Sequence, residues 1–325
     1  SEDKSDNRDP LNADNNYSFN TYRDSAAWLN TLRLDEANQL LLGLDWFEDR
    51  LSTDSDFSQS ERLNQAAFVQ HRHRGDGFAT ELGLRHDKNE QFGSENTWNA
   101  ALSLDLAERL ELLLSYGEGF HAPTFNDLYY PTSAFYGGNP NLAPERSKTY
   151  EAQLRGDHLS TRWSVSAYRT EVEDLITVVS DPVTFFSTPM NVNQARLQGL
   201  ELSLEREVLG WQAVLGASLL DPRDRDSGHT LRRRAKRSLS LDLDRQFGAF
   251  AAGITWQAFS GRYDDAANTR EIAGYGLLGA RASWRMSDEL LWQIKVDNIL
   301  DKDYSQALYS RPNDPFFSSV NYYGY

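Results

Sequence analysis

The sequence has no cysteine and only 2 methionines in 325 residues. Disulfides, iron–sulfur clusters and thiolate zinc sites are therefore excluded. No apolar run reaches the roughly 18 residues of a membrane-crossing helix, and no helix-length amphipathic segment stands out. Basic residues are scarce: 33 Lys and Arg face 48 Asp and Glu, for a net charge of -15. That balance argues against nucleic acid as a partner, because a backbone binder shows a net basic surface. There is no P-loop, and no constellation of side chains suggests catalysis. Hydrophobic residues make up only 39% of the chain, with a mean hydropathy of -0.63. One membrane solution survives these absences, since a transmembrane β-barrel hides its apolar surface in alternate positions of strands about 9–11 residues long.

Alternation is what the sequence has in abundance. Near its end, Ala280, Ala282 and Trp284 share one parity, with Gly279, Arg281, Ser283 and Arg285 on the other. After a turn at 287–289, Trp292, Ile294 and Val296 alternate with Gln293, Lys295 and Asp297. That is a hairpin with one apolar and one polar face. The same pattern recurs at Leu40, Leu42, Leu44 and Trp46, at Leu102, Leu104 and Leu106, at Leu110, Leu112 and Leu114, and at Leu200, Leu202 and Leu204. Fourteen strands are predicted between residues 17 and 298. Short turns at 35–37, 75–77, 107–109, 157–160, 208–210, 246–248 and 287–289 alternate with connections that are mostly long and polar. This is the two-ended signature of an outer-membrane barrel, and strands of 10–18 residues exceed the usual 5–6 of soluble sheets. A soluble sandwich or propeller is the alternative, since those sheets alternate too.

The interruptions are read as follows. Residues 1–16 form an exposed acidic loop, solvated rather than calcium-binding. Residues 121–146 form a long loop rich in proline, aromatics and paired glycines. Residues 162–179 form one unusually long strand, 180–188 a turn-rich piece and 221–230 a charged loop. A strand over 232–244 starts basic, and 260–270 is a loop. His71 and His73 share strand parity and would bind a metal only with a third ligand; plain polarity is the alternative. Tyr129, Tyr130, Phe135 and Tyr136 either pack on a ligand or pack the loop against itself. Gly137, Gly138, Asn139 and Asn141 shape the loop backbone. The run 231–238, Leu-Arg-Arg-Arg-Ala-Lys-Arg-Ser, either holds a phosphate or is ordinary rim charge.

Two long segments resemble a known family. IKVDNILDKDY at 294–304 is similar to the penultimate-strand motif of TonB-dependent outer-membrane receptors, and 115–154 is similar to their other strong motif. Within that family the chain resembles the receptors for vitamin B12 (cobalamin), through DKNEQFGSENTW at 87–98, YGGNPNLAPERSK at 136–148, LRRRAKRS at 231–238 and SGRYDD at 260–265. The resemblance covers essentially all 325 residues. It implies an all-β fold, a transmembrane antiparallel β-barrel of 22 strands filled by an N-terminal plug. This chain would be a portion of the barrel domain, about strands eight to twenty-one plus the tail of the seventh, without plug or last strand. It implies active import of cobalamin across the outer membrane of a Gram-negative bacterium, driven by the TonB–ExbB–ExbD complex, among outer-membrane lipid and lipopolysaccharide. A ferric siderophore or haem receptor, a porin, or an outer-membrane enzyme or adhesin are the alternatives. Arg233 falls at a cobalamin-contact position, with Tyr129 and Tyr136 as further substrate contacts. The family's calcium-binding aspartates would lie in loops before residue 1. After SGRYDD, Ala266, Ala267 and Asn268 replace the tyrosine-rich loop of the cobalamin receptors, which weakens any stacking contact there.

Overall fold

The computed structural model describes residues 1–7, 17–181, 183–191, 194–308 and 321–322. Its strands are β1 (Glu2–Asn7), β2 (Tyr17–Arg33), β3 (Asn38–Thr53), β4 (Glu61–Arg74), β5 (Phe78–Asn89), β6 (Gly93–Ala107), β7 (Leu110–His121), β8 (Glu145–His158), β9 (Thr161–Glu173), β10 (Ile176–Ser180), β11 (Ser187–Asn191), β12 (Ala195–Val208), β13 (Trp211–Asp224), β14 (Arg237–Phe247), β15 (Phe250–Phe259), β16 (Arg262–Tyr263), β17 (Glu271–Ile272), β18 (Tyr275–Arg285) and β19 (Leu291–Val296). One helical turn, α1, spans Phe125–Tyr129. The main sheet has fifteen strands in the order β1–β9, β12–β15, β18, β19, so each pairs with the next strand of that sheet along the chain, β9 with β12 and β15 with β18 across the small hairpins. Setting β1 aside leaves fourteen between residues 17 and 298, as the alternation predicts. β10 with β11, and β16 with β17, form separate small hairpins.

Local chemistry closes the short ends. Asp35 accepts from the backbone N–H groups of Ala37 and Asn38, at 2.8 and 2.7 Å, fixing the β2–β3 turn. Between β12 and β13 the two turn residues, Leu209 and Gly210, both have positive φ, 55° and 80°. That is the combination whose twist matches a two-residue hairpin, and a residue without Cβ adopts it without strain.

Contacts divide the chain into two compact units: residues 1–103, 115–149 and 171–194, and residues 104–114, 150–170 and 195–325. In the second unit the register stacks like with like. Leu204 pairs with Leu215, Leu215 with Leu241, Leu241 with Trp256, and Trp256 with Leu278. One residue along, Ser203 pairs with Gly216, Gly216 with Ser240, and Ser240 with Gln257. The polar face is cross-braced. Arg281 bonds Asp244 and reaches Asp242 at 3.5 Å, and Thr255 donates to Asp242 at 2.5 Å. In the first unit Leu42 pairs with Val69 and Val69 with Leu84. The opposite face carries Arg23–Asp49 at 2.6 Å, Arg62–Asp49 at 3.2 Å and Arg85–Asp45 at 2.7 Å.

Among the described residues no second layer covers the apolar stripe. Leu44 is 54% exposed, Leu200 50% and Ile294 65%. A soluble sandwich would bury these residues. The hydrophobics that are buried include Phe125, Leu128 and Leu142, which belong to the long loop rather than to the sheet. Each exposed Leu, Ile or Trp gains about 1.5–3 kcal/mol on leaving water, so the stripe needs an apolar surrounding.

Several boundaries differ from the sequence reading. Residues 1–16 are not simply a loop: Glu2–Asn7 pairs with β2, and residues 8–16 lie outside the described part. The long strand over 162–179 is two, because Asp174 takes φ 58° between β9 and β10. Its second half joins 187–191 in a hairpin that includes much of the expected turn-rich piece. Likewise β14 starts only at Arg237, since Arg233 has φ 60°, which ends any extended run through the basic segment. A single strand over 232–244 would set Arg233 and Arg237 on one face, and that relation is lost.

Two outcomes check this architecture in the full-length protein in bilayers. Nitroxides at Leu200, Leu202, Leu204, Trp211, Leu215, Ile254, Trp256, Trp284 and Ile294 are expected to be oxygen-accessible. Labels at Glu201, Ser203, Gln212, Thr255, Arg281 and Lys295 should respond to a polar quencher, whereas Gln198 shares the parity of Leu200 in the unbroken β12 ladder and belongs to the other face; equal access of the two sets would contradict the assignment of faces. In reversible folding into vesicles, Leu241→Arg should cost about 2–4 kcal/mol, the range for a cation on the lipid face near the midplane.

Candidate functional site

The residues singled out by sequence fall in two groups of connections, one in each unit. The first is the long loop between β7 and β8. It opens with a capping box. The Thr124 hydroxyl accepts from Asp127 N–H at 3.1 Å, while the Asp127 carboxylate accepts from Thr124 N–H at 2.9 Å. These bonds satisfy the donors that begin α1. Phe125 and Leu128 point inward from that turn, and Arg62 lies over the Phe125 ring at 5.1 Å while donating to the Pro123 carbonyl at 2.8 Å. The loop then folds back on itself. Gly138 N–H donates to the Tyr130 carbonyl at 3.1 Å, and Asn139 N–H to the Asp127 carbonyl at 2.7 Å. A Cβ on Gly138 would sit 2.7 Å from Leu128 and Tyr130 backbone atoms, so only glycine fits there.

The β10–β11 hairpin pins the other side of this loop. Asn191 accepts from Ala143 N–H at 2.8 Å and donates to the carbonyls of Ala143 at 2.9 Å and Asp174 at 2.7 Å. Asn139 donates to the Pro189 carbonyl at 3.0 Å. Gly137, Gly138 and Asn139 thus shape the backbone, as the sequence suggests. Asn191 was not singled out; nothing in its sequence surroundings distinguishes it from an ordinary turn asparagine.

The aromatics divide. Tyr136 meets Tyr130 edge to face at 5.2 Å, Tyr130 meets Phe57 at 5.8 Å, and Phe57 meets Phe19 at 6.1 Å. For Tyr130 and Tyr136 this is packing of the loop against itself and the strand ends. Burial pushes the Tyr136 phenol above its ordinary pKa, and the charge of Asp127 adds to the shift. Phe135 is 67% exposed. Tyr129 faces a polar cavity with Gln59, Ser60, Glu61, Arg62, Glu90 and Gln91.

The second group joins the β13–β14 and β15–β18 connections. Arg233 donates from Nε to Asp264 at 2.9 Å, and Asp264 is only 5% exposed. Arg270 approaches the same carboxylate at 3.7 Å, and Leu308 N–H donates to it at 3.0 Å. Asn268 exchanges two bonds with the Thr230 backbone, both 2.8 Å. His229 Nδ1 lies 3.0 Å from the Ala266 carbonyl oxygen. Arg233 is therefore built into the joint between the two connections. Asp264, within the SGRYDD segment, is the hub that sequence reasoning missed.

His71 Nε2 and His73 Nδ1 converge on one atom, Asn38 Oδ1, at 3.1 and 3.0 Å. Their common partner is a side-chain amide rather than a metal. Among the described residues no three His, Asp or Glu side chains are grouped to hold a metal ion.

Comparison with known proteins agrees with this architecture. The family model described as TonB dependent receptor-like, beta-barrel matches residues 1–299. The chain is similar to a protein of Photobacterium profundum named Vitamin B12 transporter BtuB, 32% identical over 325 residues, covering 96% of this chain and 53% of that one. A protein of the same name from Vibrio vulnificus is 31% identical, covering 92% and 50%. The chain thus spans about half the length of the curated relatives it matches. Among solved structures it is similar to the copper transporter OprC, with TM-score 0.78 and 16% identity over 94% of this chain and 57% of that one. A ferric enterobactin receptor of Pseudomonas aeruginosa gives TM-score 0.76 and 19% identity over 92% and 52%. At such identities these structures speak for the fold alone. A fifteen-stranded sheet of alternating faces, joined in sequence order and matched over residues 1–299, belongs to the TonB-dependent receptor family of the Gram-negative outer membrane.

Proposed function

We propose that the protein imports cobalamin across the outer membrane. The observation that carries this reading is the similarity to two vitamin B12 transporters, 31–32% identical over more than nine tenths of the chain. In this reading the chain supplies about strands eight to twenty-one of a closed 22-stranded barrel, with the tail of the seventh. The plug and the TonB-contacting segment come from sequence outside these 325 residues. Energy comes from the TonB–ExbB–ExbD complex, since a β-barrel with no nucleotide site has no means of its own to drive uphill transport. Lipid and lipopolysaccharide surround the apolar stripe. Calcium, if the protein uses it, is held by loops preceding residue 1.

The ligand is received at the ends of the strands joined by long connections. Cobalamin carries one phosphodiester and many amides. Arg233, 42% exposed at its side chain, meets the phosphodiester while Asp264 fixes its orientation. Tyr129 and Tyr136, taken within the first unit by themselves, are further proposed ligand contacts.

The test is equilibrium binding of cyanocobalamin to the purified full-length receptor, beside ferric siderophores and haem. Cobalamin should bind tightly and the competitors weakly; the reverse order would overturn the substrate while leaving the fold. Arg233→Ala should weaken cobalamin binding by about 1.5–3 kcal/mol, roughly tenfold to a hundredfold, part of it through loosening the joint at Asp264. Arg237→Ala, at the start of β14, should change it less. Unchanged affinity in Arg233→Ala would remove that residue from the site.

A further inference from the structure

On the apolar face of the second unit, at the end closed by the short turns, a cation stands without a partner of opposite charge. It is Arg245, near the end of β14. The β14–β15 ladder is unbroken from Ser238 to Phe247, so Arg245 shares the face of Leu241 and Leu243. Its guanidinium carbon lies 4.7 Å from the centre of the Phe247 ring, and that ring meets Trp211 edge to face at 5.9 Å. A Cβ on Gly210, in the β12–β13 turn, would sit 3.3–3.4 Å from guanidinium atoms of Arg245. The group is thus held between a ring and a turn. Among the described residues no carboxylate or carbonyl accepts from it. Its nitrogens are not closed off from the surroundings.

Charges are sorted between the two faces here. Toward this end β12 and β14 carry four acids, Glu205, Glu207, Asp242 and Asp244, all with the parity of the polar face. Arginines on that face take two of them: Arg162 pairs with Glu205 at 2.5 Å, and Arg281 with Asp244. On the apolar face the same stretches present Arg206 and Arg245 and no acid. Aromatic rings continue beside them, Phe247 pairing with Phe250 and Phe250 stacking on Trp284 at 5.4 Å. Rings and long cationic side chains of this kind mark the level where hydrocarbon gives way to headgroups. Short turns of outer-membrane barrels face the periplasm, so these headgroups are those of the inner leaflet.

We infer that Arg245 binds the phosphodiester of an anionic glycerophospholipid, with Phe247 and Trp211 beside the bound lipid and Arg206 adding a second positive charge. A guanidinium presents a planar fork of N–H donors that matches phosphate oxygens. Charge selects the headgroup. A zwitterionic lipid brings an ammonium beside two cations, with no acid on this face of β12 or β14 to receive it, whereas a glycerol headgroup brings only hydroxyls. The inference stands on the sheet and its faces, and is independent of the cobalamin reading.

The experiment reads the fluorescence of Trp211, taken as the difference between the full-length receptor and its Trp211→Phe variant, in phosphatidylcholine vesicles containing a lipid with brominated chains. Brominated phosphatidylglycerol should quench this signal at a mole fraction about fivefold to tenfold below that needed with brominated phosphatidylethanolamine. Arg245→Gln and Arg245→Leu should each remove the preference. The leucine variant suits a lipid-facing position and carries the comparison if the glutamine variant does not insert. Equal quenching by the two lipids in the wild type, or an undiminished preference in the Arg245 variants, leaves an ordinary lipid shell and overturns the inference. Relief of the quenching by unbrominated lipid A, more effective than relief by unbrominated phosphatidylglycerol, would give the site to the other leaflet's lipid and overturn it as well.

Discussion

A strand crossing hydrocarbon has one place to send its backbone N–H and C=O groups: the next strand. The sheet depends on that constraint. It demands a continuous ladder, and consecutive strands from β2 to β9 and from β12 to β15 provide one with no crossover. The ladder imposes the pleat, the pleat sends alternate side chains to opposite faces, and one face must then suit lipid. Leu215, Leu241 and Trp256 stand in one row across three strands because the register leaves no other arrangement. The facing row, with Asp242 and Thr255, is braced by Arg281.

Outside the ladder the backbone has to be satisfied by other means, and there the side chains become specific. Asn191 bonds three backbone atoms of other segments. Asn268 satisfies both polar atoms of Thr230. Asp264, almost wholly buried, gathers Arg233, Arg270 and the Leu308 N–H. A buried carboxylate of this kind is tolerated only when paired and hydrogen-bonded. Removing one partner should loosen both connections it joins. The connections are therefore ordered surfaces rather than slack tethers, which is what a binding rim requires.

Periodicity made the strands legible, because β-sheet membrane proteins write their environment into every second residue. Leu200, Leu202 and Leu204 could be placed on one face without any structure. The limits of that reasoning lie where φ changes sign. Asp174 and Arg233 both adopt positive φ, and neither residue type announces it, so 162–179 read as one strand and 232–244 as another. Long-range pairing was equally hidden: no local pattern ties Asp264 to Arg233, or His71 and His73 to Asn38. The aromatic loop was legible as a loop, but not the split between Tyr136, packed on Tyr130, and Tyr129, turned to a polar cavity. Family resemblance supplied Arg233 as a residue of interest; only the geometry shows that its Nε is engaged by Asp264.

The central claim is that this sheet belongs to an energised receptor for cobalamin rather than to a passive pore. Uptake of labelled cyanocobalamin tests it most directly, in Gram-negative cells that lack their own cobalamin receptor and express the full-length protein, with and without TonB. The account predicts saturable accumulation that disappears when TonB is removed. Accumulation unaffected by TonB, or none while a ferric siderophore is taken up in its place, would contradict it.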